Sequence, residues 1–108
     1  PSAMTNDFYH VVHFWLKADL SESDRDFFEA EARKIGNSEH VASFRLGKPA
    51  GTPREVVDNS YDFQLLVRFA SKEEHDAYQS PDDSVHEAFI ANCKHLWSKV
   101  LIFDSLEA

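Results

Sequence analysis

A chain of 108 residues is enough for one domain with a buried core, yet small enough for a partner subunit to matter to its stability. With 43% hydrophobic, 13% aromatic and 28% charged residues it has the balance of a folded soluble protein, and nine phenylalanines predict a bulky interior. Eleven Lys and Arg against nineteen Asp and Glu give a formal charge of −8, which would repel a phosphate backbone and excludes nucleic acid as an expected partner.

Met4 follows Pro1-Ser2-Ala3, which reads as a cloning scar, so residues 1–7 are expected to be remnant and tail and 8–106 the domain. Phe8 to Lys17 is aromatic and β-branched and predicts a strand buried on both faces. Alternation puts Phe8, His10, Val12, Phe14 and Leu16 on one face and Tyr9, Val11, His13, Trp15 and Lys17 on the other. Ser21 with Asp24 is a capping-box start, Phe27, Phe28, Ala32 and Ile35 follow at helical spacing, and Gly36-Asn37 reads as a stop that uses the left-handed freedom of glycine. A helix is predicted over Glu22 to Ile35.

His40 to Leu46 alternates less cleanly and predicts a second strand. Lys48 to Ser60 holds Pro49, Gly51, Pro53 and Asn59 without a period; it predicts a loop, either a lid or a surface insertion. Tyr61 to Phe69 is the clearest strand. Ser71 and Glu74 repeat the capping signal for a helix over Lys72 to Gln79, and Pro81 suggests the first turn of another, with Val85, Phe89, Ile90, Cys93, Leu96 and Trp97 on its apolar side. Lys99 to Ser105 is the last strand.

Strand, helix, strand, strand, helix pair, strand predicts an α+β fold: a ferredoxin-like split βαβ, with a four-stranded antiparallel sheet and helices on one side. The uncovered sheet face, with Tyr9, Val11, His13, Trp15 and half of the last strand, would expose an apolar patch that monomers seldom tolerate. A homodimer packed sheet against sheet is therefore expected. No apolar run approaches the length of a membrane span and no leader precedes the first strand, so the expectation is a cytoplasmic protein with no membrane partner. Cys93 is the single cysteine, which excludes an internal disulfide and reads as a buried, inert thiol.

The ordered segments Tyr9 to Lys17, Ser43 to Lys48, Tyr61 to Phe69, Ala77-Tyr78, His86 to Phe89 and Lys99 to Asp104 resemble the stress-responsive A/B barrel (Dabb) domain family of dimeric α/β barrels. The resemblance covers Tyr9 to Ser105 and implies a homodimer whose two sheets close into a barrel. It also implies distant similarity to plant polyketide (olivetolic acid) cyclases, which work without metal or organic cofactor in a pocket between sheet and helices. By position, the first-strand histidine of those cyclases falls on His10, their pocket tyrosine on Tyr78 and a further histidine on His86. Their His-Pro-x-His stretch is Ser80-Pro81-Asp-Asp-Ser-Val-His86 here, and a third-strand histidine is Phe63.

His86, Tyr78 and His10 are the candidate catalytic residues, since an imidazole can take a proton beside a carbonyl while a phenol donates to the developing enolate. Val12, Phe14, Phe28, Phe63 and Phe89 are the candidate ligand-binding residues. No metal site or cofactor is expected: His10 and His13 point oppositely, while His40, His75 and His95 sit in polar contexts apart from them. Two readings stand. One is a dimer binding a small apolar carbonyl compound, with cofactor-independent cyclase or lyase chemistry; the other is a non-catalytic stress-related dimer with satisfied core histidines and a filled cavity.

Overall fold

In the computed structural model, which describes residues 6–108, the chain runs β1 (Phe8–Leu16), α1 (Glu22–Arg33), β2 (Ser43–Gly47), β3 (Phe63–Phe69), α2 (Lys72–Gln79), α3 (Ser84–Cys93) and β4 (Trp97–Leu106). The scar expected at residues 1–3, and the expected tail as far as residue 5, lie outside the described residues. The four strands form one sheet in the order β2-β3-β1-β4, with every neighbouring pair antiparallel. This is the α+β ferredoxin-like arrangement that the order of apolar periods predicts.

β1 and β3 carry strict alternation, so β1 is buried on its inner face only and half-buried on the other in the single chain, not buried on both as expected, because the helices cover one side of the sheet. Phe8, Val12, Phe14, Leu16, Phe63, Leu65, Val67 and Phe69 are buried beneath the helices, joined there by Phe28, Ala32, Ile35, Tyr78, Phe89, Cys93 and Leu96. Burial of these side chains is the main stabilising force, at roughly 1.5–3 kcal/mol for each large one. Asp62 fastens the end of β1 to α1. Its carboxylate accepts from the Leu16 N–H at 2.7 Å and from Arg25 at 3.0 Å. Glu31, buried on α1, accepts from Lys34 at 2.5 Å and from Asn92 of α3 at 2.9 Å, which locks the two helices together.

The capping box of α1 is present: the Ser21 hydroxyl accepts from the Asp24 N–H at 3.1 Å, and Asp24 reaches back to the Ser21 N–H at 3.3 Å. Its C-terminal end differs from expectation. The chain tightens into a 3₁₀ turn over Lys34–Asn37, and Gly51 is the one described residue with positive φ. Gly36 is there for space: a Cβ on it would lie 2.3 Å from Phe44 Cε1.

Pro81 does not open a helix either. Residues 80–83 form a turn, and α3 starts after Asp83, whose carboxylate accepts from the Val85 and His86 N–H groups at 2.9 and 3.0 Å. An N-cap carboxylate outcompetes a proline start because it satisfies two orphan donors. The strand boundaries also shift, with β2 starting at Ser43 and β4 extending to Leu106.

The helices cover β1 and β3 but leave β4 at the open edge. Val100, Leu101, Ile102, Phe103 and Leu106 are 40–59% exposed. Leu101 and Phe103 pair with His13 and Val11, so they share the outer sheet face with Tyr9, Val11, His13 and Trp15. The described chain thus presents the apolar face for which a second copy is the expected cover. No described helix is long and apolar enough to cross a membrane.

Candidate functional site

Between the inner face of the sheet and the helix pair lies a cavity of about 170 Å³. Its floor is His10, Val12 and Phe14 of β1 with Leu65 of β3; Tyr78 and Gln79 of α2 and His86, Phe89 and Ile90 of α3 form the roof. Trp97, Val100 and Ile102 complete it along β4, and the exposure of the last two marks its rim. His10, Tyr78 and His86 therefore share one cavity. Of the five expected ligand-binding residues, Val12, Phe14 and Phe89 line it. Phe28 and Phe63 do not: Phe28 is fully buried in the core with its ring 5.4 Å from that of Phe63, and Phe63 turns toward the Lys48 side of the sheet.

Local sequence explains how the polar groups are held. Strand alternation points His10 inward, where its Nδ1 meets the Asp104 carboxylate at 2.6 Å directly across the β1–β4 ladder. Burial lowers the pKa of His10; the Asp104 hydrogen bond and charge oppose that shift, while the nearby His75 adds to it. Tyr78 ends α2 and His86 begins α3, with their rings 4.3 Å apart at 32°. Burial, aided by the negative Asp83, pushes the Tyr78 phenol well above its usual range, so it stays protonated as a donor. Desolvation lowers the pKa of His86 despite the opposing charges of Asp83 and Glu87, leaving a neutral imidazole at neutral pH. His86 Nδ1 is buried without a hydrogen-bond partner. Two titratable groups with pKa values driven apart stand side by side in a largely apolar cleft.

Sequence reasoning overlooked two side chains. Asp104 is set beside His10 by cross-strand register, which the sequence leaves open. His75 does not sit apart from the other histidines: its side chain is 12% exposed, its ring stacks on Phe8 at 4.1 Å, and its centroid lies 5.2 Å from that of His10. The signal for His75 was its spacing of three residues before Tyr78, which puts both on one helix face.

The remaining candidates have other roles. A larger polar recess of about 470 Å³ at Ser38, His40 and Asp83 has its side chains already committed, Ser38 to Asp83 at 2.7 Å and His40 to Glu74 at 2.9 Å. Loop residues 48–60 contribute nothing to the cavity lining and bond among themselves, Gly51 N–H to Asn59 at 3.1 Å and Val57 N–H to the Arg54 carbonyl at 2.9 Å. A lid over this cavity is thus not supported. Cys93 is fully buried, and burial pushes its thiol up to about 11, which makes it inert.

Fold and cavity define a ferredoxin-like α+β domain with a cleft between sheet and helices that opens at β4. The family model for the stress responsive A/B barrel domain, Dabb, matches residues 8–106, and the chain belongs to that family. Among solved structures it is similar to a hydroxynitrile lyase from Passiflora edulis, with a TM-score of 0.77 and 16% identity over 94% of each chain. A Dabb family protein with a ferredoxin-like fold from Mesorhizobium loti gives 0.74 and 22%, covering 93% of this chain and 95% of its own. A dimeric ferredoxin-like protein from Thermobifida fusca gives 0.76 and 14%, covering 94% and 92%. At these identities the likeness is one of fold. No protein of curated function matches the chain in sequence.

Proposed function

We propose that the protein is a cytoplasmic homodimer that binds a small, largely apolar carbonyl compound between sheet and helices, with proton transfer by His86 and Tyr78 as its chemistry. The observation that carries this reading is the cavity of about 170 Å³ lined by His10, Tyr78 and His86 among apolar side chains. An apolar cavity of ~150 Å³ holds a benzene molecule. The ligand is therefore of single-ring size, or a larger one whose tail leaves by the β4 rim. A neutral His86 can remove a proton next to the carbonyl while the Tyr78 hydroxyl donates to the oxygen as charge develops, in a site that strengthens both interactions. That step forms the enol that attacks a second carbonyl in ring closure; carbon–carbon cleavage runs the pair in reverse, the base taking the proton of a hydroxyl while the departing carbanion is protonated, and one neighbour of the same fold is a lyase.

The dimer rests on the exposed apolar face of β1 and β4 and on the dimeric relatives of the same fold. An interface of about 1,000 Å² or more is expected.

The test is a thermal-shift screen with aliphatic and aromatic aldehydes, ketones and β-diketones, followed by turnover assays on the hits. Ligands that bind the native state raise its melting temperature by mass action. His86→Ala should lose roughly 10²–10⁴-fold in rate with the fold retained. If hits bind without turnover, the protein is a binder; if no compound raises the melting temperature, the non-catalytic dimer is the better reading.

A further inference from the structure

We propose that His10, His75 and Asp104 form a binding site for one divalent transition-metal cation of the zinc and cobalt class, at the edge of the cavity. The three residues come from β1, α2 and β4, and one donor atom of each lies within 4.8 Å of the other two. His10 Nδ1 is 2.6 Å from Asp104 Oδ1, and His75 Nε2 is 4.0 Å from Asp104 Oδ2. Two imidazoles and a carboxylate suit zinc, cobalt, nickel or ferrous iron, whereas magnesium and calcium call for oxygen donors.

The orientation of His75 is the second support. Its ring is stacked flat on Phe8, at 4.1 Å and 19°, and packs edgewise on Phe69, contacts that a phenylalanine would make equally well. What the imidazole adds is two nitrogens. Nδ1 lies 3.1 Å from the Asp76 carboxylate, which can only accept, so the proton is on Nδ1; the Nε2 lone pair is left with the Gln79 amide at 3.5 Å, a long contact that a cation would displace, and Asp104 Oδ2 at 4.0 Å. A carboxylate behind the far nitrogen is how ligating histidines are commonly oriented and made more basic.

The two distances to Asp104 need modest change, and the two imidazole nitrogens, within 4.8 Å of each other, must also draw together by a shift of the His75 ring. Tetrahedral zinc with bonds of ~2.0–2.1 Å sets its donors about 3.4 Å apart. The His75–Asp104 separation must shorten and the His10–Asp104 separation lengthen, each by roughly 0.7 Å. Rotation of Asp104 does both, since its side chain is 40% exposed on the edge strand. The Nδ1 proton of His10 moves by way of solvent to Nε2 as the cation takes its place, so that the ligand is a neutral imidazole. The exposed side of Asp104 leaves the fourth position open to water or a ligand.

The test uses chelator-treated protein titrated with Zn²⁺ by calorimetry and with Co²⁺ by visible absorption, with no organic ligand present. Wild type should bind one cation per protomer with micromolar affinity or better, and Co²⁺ should give the intense visible bands of a four-coordinate site. His75→Phe keeps the stacking and deletes a donor; Asp104→Asn weakens a donor on an exposed strand with little risk to the fold. Each should loosen binding at least about tenfold, since losing even an outer-shell partner costs metal sites about 10–100-fold. Absence of saturable binding in wild type would overturn the proposal, as would unchanged affinity in Asp104→Asn and a folded His75→Phe. Because the readout is metal binding alone, it stands or falls separately from the carbonyl reading.

Discussion

The imidazole of His86 lies against the phenol of Tyr78, ring centroids 4.3 Å apart, although one residue is in the last turn of α2 and the other in the first turn of α3. The turn between them sets this pairing. The Ser80 N–H bonds the Ala77 carbonyl, the Asp83 N–H bonds the Ser80 carbonyl, and the Asp83 carboxylate then holds the His86 N–H.

Asp83→Ala should destabilise the protein by about 1–2 kcal/mol, the range for loss of an N-cap. The Ser38 hydroxyl, which donates to Asp83, loses its acceptor as well. Asp83→Asn, which still caps, should cost less. Urea unfolding of the three proteins measures this, and an equal loss in both variants would show that the charge matters more than the cap.

Because the folded pKa of His86 lies below its ordinary 6.5, the unfolded chain takes up that proton more readily than the native state. Stability from this group is present above 6.5 and declines as pH falls through that value toward the depressed one. His40 acts in the opposite sense: Glu74 raises its folded value, so its contribution is present below 6.5 and is lost as pH climbs through the raised value. His40 is a surface pair and should contribute little. Melting curves from about pH 8 to about pH 5 should slope less steeply for His86→Phe than for wild type. Parallel slopes would mean that His86 is not desolvated in solution.

Gly36→Ala should be destabilising by about 1–3 kcal/mol, the usual cost of overpacking. The added methyl would meet the Phe44 ring at 2.3 Å, so that ring must leave its place over the 3₁₀ turn. Combining Gly36→Ala with Phe44→Leu should recover part of the loss. Additive losses would place the damage in the backbone instead.

Phe103→Asp should convert the proposed dimer to monomer, or to aggregate through the remaining apolar face, as read by sedimentation velocity. Phe103 is 59% exposed in a single chain and its side chain lies on the outer face. It is a better probe than Trp15, whose indole N–H already bonds Ser60 at 3.0 Å and whose ring carries Lys99 Nζ at 4.4 Å from its centroid. A wild-type protein that sediments as a monomer at micromolar concentration would remove the barrel.

The sequence by itself determined which side chains face inward, because a strand repeats every two residues and a helix every 3.6 whatever surrounds them. His10 with Val12 and Phe14, the Ser21 and Ser71 caps, and the apolar outer face all follow from these local rules. Tertiary structure decided what spacing cannot encode. Register along β1 and β4 put Asp104 opposite His10, and docking of α2 brought His75 over Phe8, within 5.2 Å of His10. The gap between layers excluded Phe28 and Phe63 from the cavity and admitted Ile90, Trp97, Val100 and Ile102. Gly36 shows the same division, since a glycine after a helix suggests a left-handed stop, and only the approach of Phe44 from β2 reveals a need for space. Period and capping depend on neighbours a few residues away. Register and cavity shape depend on how volumes distant in sequence fit together.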